Sequence, residues 1–101
     1  MLRIYEVAIR VLEELRPAVK MIEARDRDLA RQMRRAASSI VLNIAEGSGS
    51  SGGTRRERYR NALGSAREVV ACLEVARAWG YAVVDTDVLR EVIGTLVKVA
   101  R

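Results

Sequence analysis

Apolar residues recur at steps of three and four along four separate segments of this chain, and that spacing leaves room for little except packed helices. Ile4, Ala8, Val11, Leu15, Ala18 and Ile22 form the first stripe. Leu29, Met33, Ala36, Ile40 and Ile44 form the second, and Tyr59, Ala62, Ala66, Val69, Leu73 and Ala76 the third. Leu89, Val92, Leu96 and Val99 form the fourth. The spacing predicts helices over residues 2–24, 28–46, 54–79 and 86–100, with a glycine-serine linker at 47–53 and no strand. Four amphipathic helices with short connections imply an all-α, antiparallel up-down four-helix bundle, a single domain over 1–101. The chain has four aromatic residues and no Phe, so its core must be Leu, Val, Ile and Ala.

The punctuation between stripes sharpens these bounds. Pro17 removes the amide that would bond to Glu13 and should kink the first helix. The apolar phase crosses it, so one bent helix is expected in preference to two. Asp26 or Asp28 can cap the second helix. Gly47 is expected to stop that helix as a residue free to turn left-handed. Thr54-Arg55-Arg56-Glu57 has capping-box spacing, which starts the third helix at Thr54. Gly80 ends that helix, and Asp85 or Thr86 caps the fourth. Gly94 weakens the fourth helix by roughly 1 kcal/mol relative to Ala. Gly47, Gly49 and Gly52 spell a Gly-x-Gly-x-x-Gly, but a helix precedes it where the dinucleotide fingerprint needs a strand, so it reads as a linker. Ala36, Ala37, Ser38, Ser39 and Ala45 on the second helix, and Gly64 and Ser65 on the third, are small enough for close helix approach. Val7, Leu12, Val19, Leu63 and Val70 exceed a single stripe and suggest a self-association surface.

The chemistry available is narrow. There is no His and one Cys, which excludes an internal disulfide, weighs against a zinc or redox-metal site, and suits a reducing cytoplasm. No apolar run approaches the ~20 residues of a membrane span, and no secretory signal is visible. No cofactor and no catalytic residue is expected. Cys72 has no base to activate it and is expected as a buried, inert thiol. Glu46 and Glu68 are expected as helix-end or salt-bridge partners. Asn43 either bonds backbone or a neighbouring helix, or touches a ligand. Trp79 and Tyr81 are expected to seal the bundle end in preference to stacking on bases.

Charge is the functional clue. The net charge is +5, and residues 25–60 alone hold nine Arg against Asp26, Asp28, Glu46 and Glu57, so the whole excess lies in that third. Arg27, Arg31, Arg34 and Arg35 precede the glycine-rich linker, and Arg55, Arg56, Arg58 and Arg60 follow it. Arg suits phosphate because its planar fork binds two oxygens at once. These eight residues are the candidate nucleic-acid contacts, RNA or DNA. The alternative is a solvated face of intrahelical and intersubunit ion pairs.

Gln32, Arg34, Arg35, Ala36, Ala37, Ser39, Ile40, Asn43, Ile44, Ala45, Glu46 and Gly47 resemble the core motif of the four helix bundle protein family, which includes proteins encoded in intervening sequences of bacterial 23S rRNA genes. Leu2-Arg3-Ile4-Tyr5 matches the same pattern, as do Ala62-Leu63-Gly64-Ser65, Glu68, Leu73, Ala76, Gly80 and Tyr81. Pro17 departs from it, since the family's proline sits nearer the helix end. The resemblance implies a four-helix bundle that assembles into ring-shaped homo-oligomers, often pentamers. More distantly, the chain is similar to the accessory variability protein of diversity-generating retroelements, a basic bundle that binds a reverse transcriptase and nucleic acid. That likeness implies a protein-binding scaffold as the alternative function.

Overall fold

The computed structural model describes residues 3–81 and 87–100. Their regular elements are four α-helices: α1 (Arg3–Glu23), α2 (Arg27–Ser48), α3 (Gly52–Ala78) and α4 (Asp87–Val99). Each helix packs on its neighbours in sequence, and α4 also packs on α1. The longest helix, α3, has 27 residues. At a rise of about 1.5 Å per residue it spans roughly 40 Å, which sets the 42 Å long axis of the molecule.

The first three stripes are buried at every predicted position, together with Val7, Ala30, Ala37, Val41 and Cys72. No polar or charged side chain is buried among the described residues. The fourth stripe is right at Leu89, Val92 and Leu96 and wrong at Val99, which is exposed while Ala100 turns inward. A straight helix has 3.6 residues per turn and drifts from a 3.5-residue repeat, so a step of four replaces the expected three. The surplus apolar residues are largely absorbed within the chain. Val7 is buried, and Leu12, Val19, Leu63 and Val70 pack half-buried against the chain's own core. The apolar side chains left exposed are others: Met21, Leu42, Val75, Trp79, Val97 and Val99.

The helix α1 runs through Pro17 as one element. Asp26 caps α2, its carboxylate accepting from the Leu29 amide at 3.0 Å. The expected caps Asp85 and Thr86 and the expected first residue, Leu2, lie outside the described residues.

The two predicted glycine stops have opposite outcomes. Gly80 behaves as expected, at φ +78°. Its amide donates to the Arg77 carbonyl and the Tyr81 amide to Ala76, a pair of bonds that closes the end of α3. Gly47 does not stop its helix; α2 continues to Ser48. Gly47 is buried under the Tyr59 ring, and a Cβ there would lie 2.6 Å from Cε1 of Tyr59. The position requires glycine for a close approach of α3, not for a left-handed turn.

The start of α3 is also corrected. It begins at Gly52, two residues before the predicted Thr54, and its N-cap Ser51 makes no side-chain cap bond. Thr54 therefore lies inside the helix, and the linker shrinks to 49–51. Gly64 is exposed, with nothing within 4 Å of a Cβ placed there, so it does not serve close packing within the chain. Ser65 does, since its hydroxyl donates to Ser39 Oγ across the α2–α3 seam at 2.8 Å. At the far end Tyr81 packs on the core as expected. The Arg25 guanidinium lies 5.5 Å from its ring centroid, within cation–π reach. Trp79 seals nothing; it is 68% exposed.

Candidate functional site

Because α2 buries Leu29, Met33, Ala36, Ile40 and Ile44, helical geometry turns the residues between them outward. Arg31, Arg34, Arg35, Ser38, Ser39, Leu42, Asn43 and Glu46 share that outer face and, with Arg58 from α3, line an open groove of about 570 Å³. A smaller recess of about 350 Å³, sharing Arg35 and Ser39 with the groove, is lined also by Gln32, Ser65 and Glu68. Arg35 borders both.

Four of the eight predicted arginines therefore meet in one place: Arg31, Arg34, Arg35 and Arg58. Three are held by carboxylates. Arg31 pairs with Asp28 at 2.8 Å within α2, and Arg34 with Glu23 of α1 at 2.7 Å. Arg58 pairs with Glu46 across the seam at 3.1 Å. All six side chains are substantially exposed, so each pair is worth only about 0–1 kcal/mol and yields readily to a stronger anion. Arg35 has no carboxylate within 4 Å among the described residues.

The other four arginines are not brought to the groove. Arg55 braces the end of α2, its Nε donating to the carbonyls of Ser50 at 2.9 Å and Gly47 at 3.3 Å. With the Ser48 and Ser50 hydroxyls on the Ile44 and Glu46 carbonyls, it satisfies acceptors that a helix terminus leaves open. Arg60 does the same for α4, donating to the Ala100 carbonyl at 3.2 Å. Arg27 opens α2 and Arg56 lies in the first turns of α3; both are exposed and neither lines the groove.

Sequence reasoning missed Ser38, Ser39 and Leu42 as groove residues. The signal is present: 31, 35, 38, 42 and 46 share the three-and-four spacing of one helix face. Of the two alternatives for Asn43, the structure shows the backbone bond: its amide donates to the Ser39 carbonyl at 2.9 Å and to Ser39 Oγ at 3.0 Å. Glu46 is the ion-pair partner expected. Among the described residues Glu68 is not paired with a cation; it borders the smaller recess and adds to the pKa rise at Cys72. Burial first, and then the Glu68 charge, push that thiol above its ordinary value.

Across these surfaces no helix of the described residues is long and apolar enough to cross a membrane. Nor does any cluster of three His, Cys, Asp or Glu side chains occur among them. The family model described as 23S rRNA-intervening sequence protein matches residues 1–101 of the chain. No curated protein and no solved structure matches it.

Proposed function

The chain belongs to the 23S rRNA-intervening sequence protein family, a name that states no activity, and from this premise we propose that it is a non-enzymatic, basic bundle that binds the phosphate backbone of RNA or DNA. The observation that carries the reading is the groove in which Arg31, Arg34, Arg35 and Arg58 converge around the hydroxyls of Ser38 and Ser39 and the amide of Asn43. Guanidinium groups supply two-point contacts to phosphate oxygens, and hydroxyl and amide groups complete them. The pairings of Ser39 with Ser65 and of Gly47 with Tyr59 support an antiparallel α2–α3 hairpin and an up-down order of helices. In this reading the bundle works in the cytoplasm as a ring-shaped homo-oligomer, a pentamer by family likeness. The exposed Met21, Val75, Val97 and Val99 supply apolar contacts between copies. Repetition of the groove around such a ring multiplies weak contacts.

The test is binding of structured RNA and duplex DNA to the intact protein at increasing salt, with assembly followed by light scattering behind size exclusion. Affinity is expected to fall steeply, with a log–log slope of about −0.7 to −0.9 per phosphate contact. Failure to bind either at low salt removes the reading, and a persistent monomer at high concentration removes the ring.

Trp79 favours a second reading, an accessory scaffold for a protein such as a reverse transcriptase. It stands 68% exposed, one turn from exposed Val75 and apart from the groove. Exposed tryptophan is a characteristic anchor of protein interfaces. A reverse-transcriptase gene beside this one, and loss of capture of that enzyme by Trp79→Ser, would favour it.

A further inference from the structure

One residue in the arginine groove is not what a phosphate site needs. Leu42 stands 62% exposed on the same face of α2 as Arg35 and Ser38. Resting on the nucleic-acid reading above, we propose that the groove takes a single strand and not a duplex. Its phosphates lie on Arg35 and Arg58, and a base lies against Leu42.

Shape gives the first argument. The helix α2 is packed against both α1 and α3, whose axes lie about 8–10 Å to either side. Because Arg58 of α3 lines the same groove, the surface is broader than the single helix that a duplex major groove about 12 Å wide admits. What it presents is a trough. From Arg31 to Glu46 the trough runs about 22 Å at the helical rise of about 1.5 Å per residue, room for a few nucleotides of an extended strand.

The distribution of chemistry along the trough gives the second. Arg31, Arg34 and Arg35 stand toward one end, Arg58 beside Glu46 at the other, and Ser38, Ser39, Leu42 and Asn43 lie between. A duplex turns phosphates and sugars outward and keeps its base faces stacked, so it offers Leu42 no apolar plane. An unstacked strand offers both phosphates and base faces. Ser39 Oγ already accepts from Ser65 and Asn43, which leaves its own proton for an acceptor on the strand.

Arg35 is the anchor. A phosphate reaches it without displacing a carboxylate, whereas Arg58 must be taken from Glu46 at 3.1 Å. Arg31 and Arg34 must likewise be taken from Asp28 and Glu23.

The experiment measures fluorescence anisotropy of the intact protein at low salt. The probes are a short unstructured RNA strand, that strand annealed to its complement, and an acidic amphipathic helical peptide. The strand is expected to bind at least about tenfold more tightly than the duplex. Leu42→Ala, at an exposed position that leaves the fold intact, should weaken the strand by about threefold to tenfold and leave the duplex unchanged. Arg35→Gln should weaken both. Equal or tighter binding of the duplex, or a strand indifferent to Leu42→Ala, overturns the single-strand assignment while leaving nucleic-acid binding in place. Tighter binding of the peptide, lost in Leu42→Ala, overturns it in favour of a protein occupant. Binding of neither nucleic acid removes this inference together with the function it rests on.

Discussion

Two runs of arginine, one before and one after the short α2–α3 connection, look alike in sequence and do different work in the fold. On α2, Arg31, Arg34 and Arg35 stand along one outer face and line a groove. At the start of α3, Arg55 and Arg60 spend their guanidinium groups on main-chain carbonyls, and only Arg58 joins the groove. The difference lies in what surrounds each run. The α2 run occupies the middle of a helix, where carbonyls are already bonded and side chains must look outward. The α3 run sits where two helices end, α2 close by and α4 opposite, and open carbonyls compete for any nearby donor. A cluster of like residues in sequence is therefore not yet a site.

That contrast can be tested from its foundation upward. The α2 face is presented by a helix whose inner side is anchored at Ile40, which has no exposed surface. Ile40→Ala should cost about 2–5 kcal/mol by chemical denaturation, and an unchanged unfolding midpoint would show that the outer face has been assigned wrongly. Next in size, reversing Arg34 and Arg35 to Glu should weaken RNA binding by about a hundredfold at low salt while the bundle stays folded. Arg55→Glu with Arg56→Glu should weaken it far less. Equal losses from the two double variants, with assembly intact, would erase the distinction between the runs.

Gly47→Ala probes the joint between them. The new Cβ would lie 2.6 Å from the Tyr59 ring, and the ring is buried, so the crowding should cost about 1–3 kcal/mol despite the gain in helix propensity. Combining it with Tyr59→Leu should recover part of the loss, a coupling that independent sites would not show. Arg55→Ala should cost less, about 0.5–1.5 kcal/mol, through the carbonyls of Gly47 and Ser50 left to water. The smallest effect is at Cys72, which carries neither run. Its folded pKa is raised, so the folded chain holds the thiol proton where the unfolded chain has released it. Stability is thus unaffected well below the ordinary value of 9.0 and declines as pH rises through it. A thiol reagent at neutral pH should label Cys72 slowly in the folded protein and quickly in denaturant.

Much of the fold was legible in the residues alone. Every position of the first three apolar stripes is buried, because helix periodicity is a local property and a chain half apolar with no Phe has few other ways to bury it. Asp26 as a cap and Gly80 as a stop were legible for the same reason, since each acts on backbone within a few residues. The groove was half legible. Its arginines are named by the sequence, but Ser38 and Ser39 read there as small residues for close helix approach, and Leu42 falls on no apolar stripe and stands out in no reading.

The rest was decided by the tertiary structure, where residues far apart in the chain compete for the same space and the same partners. Gly47 looks like a helix stop until Tyr59 of the next helix is placed beside it. Thr54 looks like a cap, yet α3 winds two residues further back, with Arg55 closing the end of α2. Eight arginines look interchangeable until the helix ends claim Arg55 and Arg60 and carboxylates from α1, α2 and the seam take Arg34, Arg31 and Arg58. Sequence spacing specifies which way a side chain leaves its own helix. It carries no record of which carbonyl, ring or carboxylate another helix will bring close, and among the described residues those encounters leave Arg35 the groove arginine with no carboxylate within 4 Å.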